Sequence, residues 1–259
     1  MKVVLFCGGL GTRLREYSET IPKPLAPVGS RPIIWHLMRY YAHFGHTEFV
    51  LCLGHRGAMI REFFRRDPSV DPTWSIEFVD TGEDASIGAR LKAVESHLQG
   101  ERMFLANYSD GVSDLPLPHY LEQFRQRDAI AGFVSVRSPH SFHVVQLDDA
   151  GVVTTLQQAH EADMWINGGF FVFRSAIFDY IRPGDELVEQ PFQRLIAERR
   201  LYSYKHNGFW AAMDTYKDKV MFDRRHAAHD CPWEVWEAAL PAAHTHDAGR
   251  RRGQERRDV

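Results

Sequence analysis

The residues best suited to chemistry in this chain stand at three places. Directly after the apolar run Val3-Val4-Leu5 comes FCGGLGTRL, residues 6–14, and further on Lys23 sits between Pro22 and Pro24. Asp110 then appears in Ser-Asp-Gly, and Asp214 in Ala-Met-Asp-Thr. Gly8, Gly9 and Gly11 lack the Cβ that would keep backbone amides away from an anion, and Arg13 offers a fork for terminal phosphates. A lysine fixed between two prolines completes a cradle for a triphosphate. Two other phosphate loops do not fit. A Walker A loop ends in Gly-Lys-Ser/Thr, which is missing here. A dinucleotide fingerprint needs a third glycine where Leu14 stands and a helix at once, which the prolines around Lys23 deny. For the glycines alone a tight turn that binds nothing stays open, as does an ordinary turn for Asp110-Gly111. Arg13 and Lys23 tip the balance toward an anion site.

Other chemistry finds less support. His36, His43 and His46 have no metal-template spacing, and Ser109 has neither a nucleophile elbow nor a partner histidine. Trp233 and Trp236, three apart, read as packing. Cys7, Cys52 and Cys231 show no C-x-x-C spacing, so buried free thiols in a reducing, cytoplasmic setting are expected. With 259 residues, 44% hydrophobic and 25% charged, the chain can build a full core. Its net charge of −3 provides no field for nucleic acid. No run reaches the roughly 18 apolar residues of a membrane span, so no membrane partner is expected. Five arginines crowd the last ten residues, and 241–259 reads as a disordered arginine-rich tail behind a single domain, 1–240.

The elements that must position these residues alternate in the first half. Strands are predicted at KVVLFC, TEFVLCLG, WSIEFVD and RMFLANYSDG, the last breaking at Asp110-Gly111. Helices are predicted over 31–45, 57–66 and 87–98. That order implies an α/β fold, Rossmann-like, with a mixed, mostly parallel sheet flanked by helices. Beyond residue 130, AIAGFVSV, FHVVQLDD, GVVTTLQQ and GGFFVF read as antiparallel additions. Short helices are expected around 174–181 and 187–198, with another from Tyr216. In such a sheet ligands bind at the carboxyl ends of the strands, where the glycine loop lies.

GGLGTRL, PKPL and GSRPIIWHLM together resemble the signature of the sugar-1-phosphate nucleotidylyltransferases. VDTGEDASIGARL, YSDGVSDL, INGGFFVF, GFWAAMDTYKDKV and PWEVW follow in order, and over residues 1–236 the chain is most similar to the glucose-1-phosphate cytidylyltransferase branch. The resemblance implies the nucleotide-diphospho-sugar transferase fold, a homo-oligomer, and transfer of CMP from CTP to a sugar 1-phosphate with loss of pyrophosphate. It also implies Mg²⁺ held by Asp110 and Asp214. By the same carry-over Gly8, Gly9, Gly11 and Thr12 line the nucleotide loop, and Arg13 holds the β- and γ-phosphates. Lys23 acts near the α-phosphate, and Thr81, Gly82 and Gly88 lie beside the base. Asn167 and Gly168 would meet the acceptor.

The acceptor side departs from the family twice. A Glu-Lys-Pro, whose lysine grips the sugar phosphate, is replaced by Gln158, Ala159 and His160. A glycine that lets the sugar ring approach the backbone is replaced by His143. Three readings stay open: a hexose 1-phosphate with His143 or His160 compensating, another phosphate or phosphonate acceptor, and an inactive nucleotide-binding regulator.

Overall fold

Val3, Val4, Leu5 and Phe6 form β1 (Val3–Phe6), buried on both faces because the strand lies inside the sheet. The structure, a computed structural model, describes residues 1–9, 20–137, 142–159 and 163–237. Gly11, Thr12, Arg13, His160 and the tail 241–259 lie outside the described residues.

A ribbon of β2 (Pro27–Val28) and β3 (Arg31–Pro32) leads into α1 (Ile33–His43). The helix ends as its sequence demands: Gly45 takes φ +81°, and the His46 and Gly45 amides bond back to the Tyr41 and Ala42 carbonyls. β4 (Glu48–Leu53), α2 (Gly57–Arg66), β5 (Ser75–Asp80), α3 (Ile87–Ala93) and β6 (Met103–Tyr108) complete the alternating half. The helix predicted over 87–98 breaks after Ala93 and continues as a 3₁₀ turn, Glu95–Leu98. β7 (Gly111–Ser113) and α4 (Leu117–Arg125) were not anticipated; both lie in a stretch whose prolines obscure the periodicity.

The second half holds β8 (Ala131–Arg137), β9 (His143–Leu147), β10 (Val153–Gln158), β11 (Trp165–Asn167) and β12 (Phe171–Arg174). The helix expected at 174–181 is a 3₁₀ turn, Ser175–Asp179, and α5 (Gln190–Ala197) is shorter than expected. β13 (Leu201–His206), β14 (Trp210–Ala212) and α6 (Tyr216–Ala227) follow.

The main sheet runs β11-β8-β12-β6-β1-β4-β5, with β13 also on β8. β6, β1, β4 and β5 are parallel to one another, whereas β12 runs antiparallel to β6 and β8, and β11 to β8. The chain moves outward from β1 to β4 and β5, then returns to place β6 on the other side of β1. The switch point is therefore between β1 and β6, where the carboxyl ends open a crevice. Alternate β1 side chains face two cores: Val3 and Leu5 pack with α1, α2 and α4, and Val4 and Phe6 with α3 and α5. Trp233 is buried against Phe209 and Phe222, as its packing assignment required. Cys7, Cys52 and Cys231 are free thiols. Among the described residues no helix is long and apolar enough to cross a membrane.

Candidate active site

A cavity of about 220 Å³ opens at the switch point. Phe6, Cys7 and Gly9 line it from the end of β1, Tyr108, Ser109 and Asp110 from the end of β6, and Ile87 from the first turn of α3. Lys23, Pro24 and Asp214 close the remaining side. The Ser109 hydroxyl donates to the Phe6 carbonyl at 2.8 Å, so the two strand ends move as one.

Two aspartates 104 positions apart in the chain meet here through a short ladder. β14 pairs antiparallel with β7, setting Ala212 opposite Gly111, and the Met213 amide donates to the Asp110 carbonyl at 3.0 Å. Asp214 is the next residue. Its backbone is then fixed by the capping box that starts α6. The Thr215 side chain takes the Asp218 amide, and Asp218 accepts from the Asp214 and Thr215 amides at 3.1 and 2.7 Å. The sequence predicts the helix from Tyr216 but neither the box nor the ladder.

Between the two carboxylates lies the Lys23 ammonium. It pairs with Asp110 and, at 2.7 Å, with Asp214. Pro22 and Pro24 set the 3₁₀ turn that carries it, with the Leu25 and Ala26 amides bonding back to Pro22 and Lys23. Burial works against the charged amine, but Asp110 and Asp214 outweigh it and hold its pKa above the usual lysine value. The site thus gathers one fixed cation and two hard oxygen donors at a polar floor.

The loops above are held by a residue that the sequence reading passed over. Arg90, buried in α3, donates to the carbonyls of Gly8, Leu53, Gly82 and Glu83 at 2.8–3.3 Å and to the Thr81 hydroxyl at 2.7 Å. One guanidinium ties together the loops that follow β1, β4 and β5. A Cβ at Gly8 would fall 2.0 Å from its Nη1, so this glycine is required by the arginine, while Gly9 faces open space. Thr81 and Gly82 belong to this clamp. Gly88 is turned away from the cavity: a Cβ there would lie 2.5 Å from the Asp185 carbonyl oxygen, and it is its neighbour Ile87 that reaches the lining. The only sequence signal for Arg90 was a basic residue at an inward helical position.

On the acceptor side, β11 and β12 are two lengths of one interrupted strand along β8. The interruption, Gly168-Gly169-Phe170, has φ of +76° at Gly169 and +49° at Phe170. Buried Asn107 of β6 holds it, its Oδ1 accepting from the Phe170 and Tyr108 amides at 2.9 Å. Asn167 Oδ1 accepts from the Gly169 amide, and the Gly168 carbonyl takes Trp210 Nε1 at 2.7 Å. Tyr108, which lines the cavity, has its pKa pushed up to about 12, mainly by burial and then by Glu186 and Asp110; the Asn167 side chain opposes the shift. His143, by contrast, is exposed at the start of β9, opposite Gln158, and does not line the cavity. Ala159 is fully buried.

Among the described residues no group of three or more His, Cys, Asp or Glu is set to hold a metal. The pair Asp110 and Asp214 nonetheless fits Mg²⁺. That ion binds through one or two carboxylates, keeps several waters and takes its other ligands from phosphates. The ammonium between the carboxylates already holds a cation's place.

Known proteins resemble this chain over most of its length. A Bacillus subtilis protein named "Probable glucose-1-phosphate cytidylyltransferase" is 34% identical over 256 residues, 91% of this chain and 100% of that protein. The glucose-1-phosphate cytidylyltransferase of Salmonella typhi is 33% identical over 259 residues, 92% of this chain and all of that one. A Bacillus anthracis crystal structure with sucrose bound shares the fold with a TM-score of 0.67 at 18% identity, over 87% of this chain and 95% of that one. The family model described as "Nucleotidyl transferase" matches residues 2–218, and the chain belongs to that family.

Proposed function

We propose that this chain transfers CMP from CTP to the phosphate of a sugar 1-phosphate such as glucose 1-phosphate, as a single catalytic domain over residues 1–240. An acceptor phosphate oxygen attacks the α-phosphorus of CTP; the new P–O bond forms as the bond to the bridging β-phosphate oxygen breaks, and pyrophosphate leaves. The observation that carries the reading is the Lys23 ammonium between Asp110 and Asp214 on the cavity floor. The protein's task in such a reaction is to hold two polyanions in line and to offset charge at the reacting phosphorus. Lys23 supplies that charge when it swings from the carboxylates toward the α-phosphate. Asp110 and Asp214 are then left to hold a divalent ion, Mg²⁺, which when bound neutralises charge on the phosphate oxygens. Gly8, Gly9, Gly11 and Thr12 are assigned to the triphosphate, Arg13 to its β- and γ-phosphates, and Thr81 and Gly82 to the base; Gly88, turned onto Asp185, drops out of the site. Asn167 and Gly168 face the acceptor. The protein works in the cytoplasm as a homo-oligomer on these two small-molecule substrates.

The cytidine preference is supported by the relatives' names over nine-tenths of the chain. A second reading, a phosphate or phosphonate acceptor that is not a hexose, is favoured by buried Ala159 where a lysine is expected. Pyrophosphate release from CTP, UTP, dTTP, GTP and ATP across a panel of phosphorylated acceptors decides between them. Turnover with CTP and glucose 1-phosphate is the expected result. Turnover with CTP but only non-hexose acceptors selects the second reading, and no turnover with any pair overturns both.

A further inference from the structure

Where the family pattern has a lysine this chain has the buried Ala159, so the acceptor side loses a cation there. Two cations stand elsewhere on that side, and both lie over one indole. The Arg137 guanidinium and the Lys205 ammonium are each 4.9 Å from the ring centroid of Trp165. The three residues come from three strands and share one face of the sheet. Trp165 is opposite Arg137 in the β11–β8 pair, and Lys205 is opposite Ser135 in the β13–β8 pair. β11 and β13 flank β8, about 10 Å apart across two strand intervals, so the Lys205 side chain lies across β8 to bring its charge over β11. Side chains alternate along a strand, which puts Asn167 on the same face as Trp165. The Asn167 side chain in turn meets Tyr108, which lines the cavity. One sheet face therefore runs from the cavity through Tyr108 and Asn167 to the two cations.

We propose that Arg137, Trp165 and Lys205 form a subsite for a second anionic group on the acceptor, a carboxylate or a phosphate remote from the phosphate that reacts. The proposal rests on the sugar 1-phosphate reading above and names the acceptor's charge. The charges at the subsite select the ligand. Two like charges held against one indole repel each other, and a carboxylate meets only one of them. Asp163 lies 3.8 Å from the Arg137 guanidinium and also accepts from Trp165 Nε1 at 2.8 Å. Among the described residues no carboxylate stands within ion-pair distance of Lys205, which is exposed. An anion placed beside the ammonium and the guanidinium cancels the repulsion and gains charge-assisted hydrogen bonds, whereas a neutral hydroxyl leaves the excess charge as it was. The position fits the far end of one acceptor. Its reacting phosphate belongs beside Lys23 on the cavity floor, and Tyr108 and Asn167 lead from that floor to the cations. The positive charge of the acceptor side is thus displaced outward from position 159, to where it reads a second charge on the substrate.

Pyrophosphate release with CTP tests this for glucose 1-phosphate, glucuronic acid 1-phosphate and glucose 1,6-bisphosphate, in the full-length wild type and in Lys205→Met, Lys205→Arg and Arg137→Gln. In the wild type, kcat/KM for at least one acceptor with a remote anion should exceed that for glucose 1-phosphate by about tenfold or more, the gain from a charge-assisted contact. Which of the two gains more tells a carboxylate from a second phosphate. Lys205→Met should bring the ratio to within about twofold of one, chiefly through KM, and Lys205→Arg should restore it. Arg137→Gln should lower the same ratio and serves as the second variant should Lys205→Met fold poorly. A wild type that uses glucose 1-phosphate as well as or better than both charged acceptors overturns the proposal and leaves the sugar 1-phosphate reading standing. So does a Lys205→Met variant that slows all three acceptors equally, since Lys205 would then serve the reacting phosphate. No turnover with any of the three overturns the sugar 1-phosphate reading and the proposal together.

Discussion

The nucleotide side and the acceptor side of the cavity are built by different means. The nucleotide side hangs on β1, β4 and β5, parallel strands inside one sheet, whose end loops are locked by the buried Arg90. The proposed acceptor side hangs on an interrupted antiparallel strand and on the amide of Asn107, with the β9–β10 hairpin outside the sheet and off the cavity. A loop held by a charged fork through five hydrogen bonds has little freedom to change, because losing the fork removes all five at once and leaves three loops without their common tie. A largely exposed hairpin outside the main sheet can change its residues at lower cost. This contrast accounts for why the phosphate cradle keeps a recognisable pattern while the residues at 143 and 158–160 depart from it.

The most severe way to break the contrast lies where the two sides meet. Asp110→Asn and Asp214→Asn should each lower kcat with CTP and glucose 1-phosphate by about 10²–10³-fold while the melting temperature moves little, since each aspartate faces the cavity. Steady-state rates at saturating Mg²⁺ test this, and a variant that keeps most of its rate removes that aspartate from the site.

Arg90→Met attacks the nucleotide side alone. It removes the hydrogen bonds to the Gly8, Leu53, Gly82 and Glu83 carbonyls and to the Thr81 hydroxyl, and should cost about 2–4 kcal/mol in urea unfolding together with a large loss of CTP affinity by calorimetry. Unaltered CTP binding would mean that the clamp does not shape the nucleotide loop.

Asn107→Leu attacks the acceptor side. It leaves the Phe170 amide unpaired and releases the Gly168–Phe170 turn, and should raise the acceptor KM roughly tenfold with CTP affinity within about twofold. Equal effects on both substrates would show that the two sides are coupled after all.

The smallest effect is expected at His143. Because it is exposed and off the cavity, His143→Ala should keep kcat/KM for every acceptor within about twofold of wild type. A larger loss in the acceptor assay would bring the hairpin into the site and narrow the contrast.

Much of this was legible along the chain. The β1 run, the glycines behind it and the prolines around Lys23 each announce a local conformation, because a missing Cβ or a fixed φ acts within a few residues. Gly45 closes α1 where the sequence placed the end of that helix. The helix predicted over 87–98 is the instructive miss: its apolar spacing continues past Ala93, but the backbone tightens into a 3₁₀ turn to bury Leu98, which periodicity cannot register. Gly88, placed beside the base by the resemblance, instead serves the packing of α3 on Asp185.

By itself, then, the sequence determined the alternation of strands and helices, the glycine end of α1 and the proline-set turn at Lys23, all consequences of short-range sterics and periodicity. Tertiary structure alone decided that the β7–β14 ladder brings Asp214 beside Asp110, with Lys23 between them. It also decided that Arg90 spans three loops and that the β9–β10 hairpin turns its apolar face outward. Each of these depends on which distant segments share a sheet edge or a buried charge. Such pairings are settled by desolvation and strand register across the whole fold, and no window of neighbouring residues encodes them.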